Sequence, residues 1–252
     1  MRRTIRNIIN NIRLQTGISN FGLHSLDFFQ LPTTVFGLRT SLSRLRTSTF
    51  RLPTSVITIP FILLLSSCNQ KTFNNETAML DYIKDETNGY TQHKTINGVD
   101  YTLMYRPTDA LVNQELGDAS PSSAQIKELR EKYSKYMYFN LSMSQNNQEL
   151  LSTAPKNRNE FGAMVNELAF GMNEKVHVYT PSKDTLEMAD FIYPRMYGMS
   201  RATTIMFVYP RDEKHLKEDY LNFTVQDLGL YTGEVKFKVP TDKLNNEPKL
   251  NF

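Results

Sequence analysis

Hydrophobic and polar residues alternate most cleanly over residues 91–106. Two runs, 91–96 and 99–106, flank Asn97-Gly98, and Val99, Tyr101, Leu103 and Tyr105 fall on one face. Asn-Gly accepts the positive φ angles of a tight hairpin turn, so the pattern predicts a β-hairpin, closed by Pro107. The spacing then changes to three and four. Residues 108–116 read as a helix ending at Gly117, and Ser120 or Ser122 caps a second helix over 123–136 in which Ile126, Leu129, Tyr133 and Tyr136 recur. Upstream, Ala78, Leu80, Tyr82 and Ile83 predict a helix over 76–86. Residues 137–144 alternate as a strand, and Asn157 or Asn159 starts a helix over 160–171, with Phe161, Met164, Val165, Leu168 and Phe170 apolar and Gly171 as its stop.

Beyond Gly171 the pattern becomes β throughout. Runs over 174–180, 184–193, 203–209, 220–227 and 233–239 are short and bounded by Pro, Gly or Asp; the last places Val235, Phe237 and Val239 inward and Glu234, Lys236 and Lys238 outward. The expected fold class is α+β: an antiparallel β-sheet or sandwich, strand-rich in its C-terminal half, with two or three helices from the first half of the folded part covering it. The polar end is expected to be a loose tail over 243–252.

The opposite end of the chain differs in kind. Residues 56–65 form an apolar run of about ten residues, half of the roughly 20 that a helix needs to cross a bilayer, and Pro60 interrupts it. With Arg51 upstream and Ser66 and Ser67 downstream, the run has the length and flanks of a secretory signal. Leu65-Ser66-Ser67-Cys68, which holds the sole cysteine, resembles the lipobox of bacterial lipoproteins. The resemblance implies cleavage between Ser67 and Cys68, a diacylglycerol on the Cys68 thiol, and acylation of the new amino terminus. Two or three acyl chains, at about 0.8 kcal/mol per buried methylene, hold a domain on a membrane where one chain does not. Together with a folded part rich in Asn, Lys and Tyr, the motif looks like that of uncharacterised lipoproteins of Bacteroidetes-type bacteria.

A signal should begin within about 30 residues of the start, yet the cysteine is at 68. Between them, Leu31, Leu38, Leu45 and Leu52 recur every seven residues, with Thr and Ser at intervening positions. One apolar position per heptad, with Pro32 and Pro53 inside the pattern, does not make a coiled coil. The expectation is a translated tandem repeat upstream of the true start; an organellar transit peptide, rich in Arg and Ser and poor in acids, is the rival reading. The expected layout is therefore a disordered or spurious extension over 1–50, a lipoprotein signal peptide over 51–67, a tether over 68–75, one globular domain over 76–242, and the tail.

Charge divides the chain at the same place. Residues 1–67 carry eight arginines against Asp27 alone, whereas residues 68–252 carry 21 Lys and Arg against 25 Asp and Glu. The basic balance thus belongs to the N-terminal segment, and the folded part offers no basic surface for nucleic acid. All 13 tyrosines follow position 81. One cysteine excludes an internal disulfide and any multi-cysteine zinc site, so the core must be held by burial.

Chemistry is sparse. Gly198-Met199-Ser200-Arg201-Ala202 has a passing likeness to a nucleophile elbow, but no strand-to-helix context is expected there and only His215 follows it as a base. His93, His177 and His215 lack metal-ligand spacing, so no metal is expected, and with no phosphate-binding glycine loop or calcium loop present, no cofactor is expected either. No catalytic residue stands out. A dense aromatic segment, 190–198, marks Phe191, Tyr193, Arg195 and Tyr197 as a candidate binding patch, because aromatic and Arg side chains anchor partners. The functional expectation is a lipoprotein of the cell envelope, on the outer membrane, facing the periplasm or the cell surface, whose domain binds an envelope protein or glycan. A lipid-anchored hydrolase of glycans or peptides is the alternative.

Overall fold

A computed structural model describes residues 70–117 and 120–252. The N-terminal extension, the signal, Ser67 and Cys68 lie outside the described residues. The chain starts with β1 (Thr72–Phe73) and α1 (Glu76–Lys84), then the hairpin of β2 (Thr91–Ile96) and β3 (Val99–Arg106). Asn97 at φ 50° and Gly98 at φ 74° make the turn, two adjacent left-handed residues whose twist matches that of the strands. Next come α2 (Thr108–Leu116) and α3 (Ser123–Tyr133). The second opens on a reciprocal cap, in which the Ser122 hydroxyl accepts from the Gln125 N–H and the Gln125 side chain accepts from the Ser122 N–H. There follow β4 (Tyr136–Gln145), β5 (Gln148–Glu149), α4 (Leu150–Thr153), α5 (Arg158–Asn166), a π-helical turn at Glu167–Gly171, α6 (Met172–Lys175), β6 (Val176–Tyr179), β7 (Thr185–Leu186), β8 (Asp190–Ile192), β9 (Thr203–Pro210), β10 (Tyr220–Val225), β11 (Val235–Pro240), α7 (Thr241–Asn245) and β12 (Lys249–Leu250).

The fold is α+β, with two antiparallel sheets. One has the order β2-β3-β4-β9-β8, with β5 beside β4; the other is β11-β10-β6-β7. Their inner faces share one core. Phe139 of β4 and Phe207 of β9 lie 5.6 and 5.7 Å, ring centre to ring centre, from Phe223 of β10. All three rings are buried, each contributing about 2–3 kcal/mol of transfer free energy. Helices α2 and α3 cover part of the outer face of the first sheet, where Leu111, Val112 and Tyr133 pack on Tyr138, Ile192, Met206 and Val208. Along one side the sandwich is closed by side chains, because Gln92 and Lys94 of edge strand β2 donate to the carbonyls of Lys238 and Lys236 on edge strand β11. Those bonds occupy backbone groups that would otherwise template strand addition.

Five segments differ from the sequence expectation. The segments read as a tether and as a loose tail pair with each other: β1 lies parallel to β12, in register Thr72 with Lys249 and Phe73 with Leu250. Burial explains this, since Leu244, Leu250 and half-buried Phe73 join the main core. Residues 184–193 form not one strand but two, β7 in the second sheet and β8 in the first. Gly171 does not stop its helix; Met172, fully buried, carries the helical path one turn further into β6. In α1, Met79 and Ile83 face the core and Ala78 is exposed. Among the described residues no helix is long and apolar enough to cross a membrane.

Candidate functional site

Strand β3 runs roughly 23 Å at 3.3 Å per residue, and its ends define two ends of the domain. At its Arg106 end lie β1, β12 and the start of α2. A groove of about 850 Å³ opens there, lined in part by Asp109, Arg130 and Glu247. Its buried Asp109 and half-buried Glu247 are both spent on structure. Asp109 accepts from Arg130 Nε at 2.8 Å, from Arg130 Nη2 at 2.7 Å and from the Leu250 N–H at 2.8 Å. Glu247 accepts from the Tyr105 hydroxyl at 2.6 Å, the Thr108 N–H at 3.1 Å and Arg211 at 3.3 Å. Burial, reinforced by the Glu247 charge, holds the Tyr105 phenol well above its usual pKa. These bonds latch the C-terminal strand to α2, α3 and β9.

The hairpin-turn end is built differently. It gathers the 193–202 loop, α4, α5 with its π turn, and the 226–234 loop. Thr203, which follows the first loop, is paired with Met143, and Met143 with Tyr101 near the turn. The Asn97 side chain donates to the Tyr231 carbonyl and the Tyr101 hydroxyl meets Thr232 Oγ1, which ties the second loop to the hairpin. A cleft of about 320 Å³ separates α5 (Glu160, Ala163, Met164) from Leu228, Gly229 and Tyr231. Large apolar side chains on these loops and helices stand in solvent: Tyr231, which lines the cleft, is 80% exposed, Met199 79%, Phe170 75% and Tyr197 71%, with Phe161 at 40%. Phe252, at the other end, is the remaining large apolar residue among the described residues that is exposed.

Two of these aromatics occupy strained backbone. Tyr197 has φ 55° and Tyr231 φ 58°, the left-handed region that costs a side-chain-bearing residue about 1–2 kcal/mol. Fixed bonds hold the first loop in that state. Glu149, 3% exposed, directs one carboxylate oxygen to the Gly198 N–H and the other to the Ser200 N–H, each at 3.0 Å. Gly198 is at φ 81°, so a side chain there would be strained by the backbone, although a β-carbon would meet only Ser152 Oγ of α4, at an ordinary 3.9 Å. A buried carboxylate that binds only backbone amides of a surface loop preorganises that loop.

The sequence-derived patch is split by this geometry. Phe191 is half-buried and stacks on Phe207 at 6.2 Å, so it belongs to the core. Tyr193 also packs against the core; burial raises its phenol pKa, and the nearby Glu149 charge adds to the rise. Arg195 and Tyr197 are brought together outside, the guanidinium 5.0 Å from the ring centre. Met199, Tyr231, Phe170 and Phe161 join them without having been marked by sequence, and so does the clamp residue Glu149. Turn chemistry was the readable signal for two of them: Tyr197 precedes Gly198, and Tyr231 sits between Gly229 and Gly233.

Ser200 and His215 lie at opposite ends of β9. His215 faces Asp184 at 3.3 Å and Asp212 at 3.7 Å, beside the latch end. His93 contacts Thr102 Oγ1 at 3.1 Å and Thr95 Oγ1 at 3.2 Å on the open hairpin, and His177 contacts Gln226 on β6. Among the described residues no three His, Cys, Asp or Glu side chains converge as metal ligands. No protein-family model matches the chain, and no curated protein matches it. A solved structure, that of a novel protein of unknown function from Burkholderia pseudomallei, aligns over 66% of this chain and 83% of its own, with 9% identity and a TM-score of 0.33.

Proposed function

We propose that the chain is a bacterial lipoprotein, cleaved between Ser67 and Cys68, acylated on Cys68 and held on the outer membrane as a binding module of the cell envelope. The observation that carries the reading is the lipobox Leu65-Ser66-Ser67-Cys68 at the end of an apolar run. The Gln70 side chain already bonds the Glu247 carbonyl, and β1 starts at Thr72, so an anchor at 68 is separated from the domain by a few residues at most. An anchor at Cys68 would lie close in sequence to Gln70 and β1 at the latch end, opposite the exposed Tyr197 and Tyr231. A binding role fits a surface in which rigid aromatics, Met and Arg gather in solvent. Metabolic labelling with a palmitate analogue tests the anchor: label on the wild-type chain, absent from Cys68→Ala and accompanied by precursor accumulation under globomycin, is the expected result. Label retained in Cys68→Ala, or never incorporated by the wild type, overturns it.

A further inference from the structure

Exposed Phe, Tyr and Met, with Arg195 set against the Tyr197 ring, match the composition of protein–protein interface centres. The cations around this end complete the pattern. Arg195 and Arg201 flank Tyr197 and Met199 on the clamped loop, Lys156 lies between α4 and α5, and Arg158 opens α5. All four are exposed, and none forms an ion pair among the described residues. The carboxylates close to them are already committed. Glu149 is buried on backbone amides, Glu160 accepts from the Lys156 N–H and the Asn157 amide, and Glu167 pairs with Lys175 at 3.1 Å. Arg195 and Arg201 are therefore exposed cations without an ion-pair partner among the described residues, beside Tyr197 and Met199 on a folded part whose overall charge is negative, whereas the Tyr231 loop carries Asp227 and Glu234.

We propose that the clamped loop carrying Arg195, Tyr197, Met199 and Arg201 is the docking surface for an acidic protein segment, with apolar side chains of the partner on Tyr197 and Met199 and its carboxylates on Arg195 and Arg201. The inference rests on the binding-module reading and names its site and partner chemistry. Arg forks take carboxylates with two parallel bonds, and Tyr supplies a large contact that loses little conformational freedom. The strain held at Tyr197 is the observation least expected of a passive surface, because a bulky residue is kept left-handed and in solvent.

The test uses the full chain, purified in detergent and immobilised, as bait for a phage-displayed random peptide library. The expected result is enrichment of peptides with Asp or Glu beside an aromatic or aliphatic residue. Their affinity should fall at least tenfold in the Arg195→Glu/Arg201→Glu double variant and in Tyr197→Ala, and fall again as salt is raised. Enriched peptides without acidic bias, or affinities unchanged in both variants, overturn the proposal. So does binding of polyuronate in place of peptide with the same sensitivity to the variants, or a sedimentation shift to a dimer that Tyr197→Ala abolishes. Palmitate labelling of the same variants separates the two readings. Lost peptide binding with intact labelling touches the site alone, and lost labelling touches the anchor alone.

Discussion

Replacing Asp109 by Ala should open the latch that joins the C-terminal strand to the helices. The carboxylate is 3% exposed and receives two charge-assisted bonds from Arg130 together with the Leu250 N–H. Removing one member of a buried ion pair costs about 3–5 kcal/mol when the other stays buried. Arg130 is 38% exposed and can turn into water, which brings that share down to about 2 kcal/mol. The Leu250 N–H, left without an acceptor in a buried setting, adds about 1–2 kcal/mol. The expected loss is therefore about 3–4 kcal/mol, read from urea unfolding midpoints, or a fall in Tm of roughly 6–15 °C for a domain of this size. Asp109→Asn, which keeps one acceptor oxygen, should lose about half as much. Hydrogen exchange supplies the local readout: the Leu250 and Lys249 amides should lose protection before those of β3 and β4. A loss below about 0.5 kcal/mol, within the range of an indifferent surface change, or unchanged protection at Leu250, would refute the latch.

Alkaline pH should destabilise the fold through its tyrosines. Burial pushes Tyr90 up to about 12 and raises Tyr101, Tyr105, Tyr138 and Tyr209 as well. Because the folded chain holds these protons more tightly than the unfolded chain, stability is complete below pH 10 and declines as pH rises toward 12 and beyond. Urea midpoints at pH 9 and pH 11 should differ clearly, with phenolate absorbance appearing together with unfolding; equal midpoints would contradict the burial account. At the other end, Glu149→Gln places an amide against the Gly198 and Ser200 N–H groups and should cost about 2–3 kcal/mol. It should also speed amide exchange at both positions while β4 and β9 stay protected, and wild-type exchange at Gly198 and Ser200 would show that the loop does not depend on the clamp.

What could be read in the sequence was whatever short range decides. The hairpin was legible because its period of two, its Asn97-Gly98 turn and its Pro107 boundary all lie within 17 residues, and each points to the same structure. The capping of α3 by Ser122 was legible for the same reason. The tail was not, because Leu244 and Leu250 are isolated apolar residues in a polar stretch. Leu250 is held by Asp109, 141 positions away, so no local period could announce it. The aromatic segment shows the same division inside one motif. Composition picked out Phe191, Tyr193, Arg195 and Tyr197 alike, but Phe207 draws the first inward and Glu149 holds the last in solvent, and neither partner lies near them in sequence. A surface residue's availability is thus fixed by distant clamps as much as by its own chemistry. Tyr231 makes the point most sharply, since its loop carried no strand or helix period, and its exposure at positive φ accompanies a bond from Asn97 across 134 positions. Where a sequence places aromatics beside glycines in such loops, the buried polar residue that binds the loop's backbone is the feature to seek next, because it separates presentation from disorder.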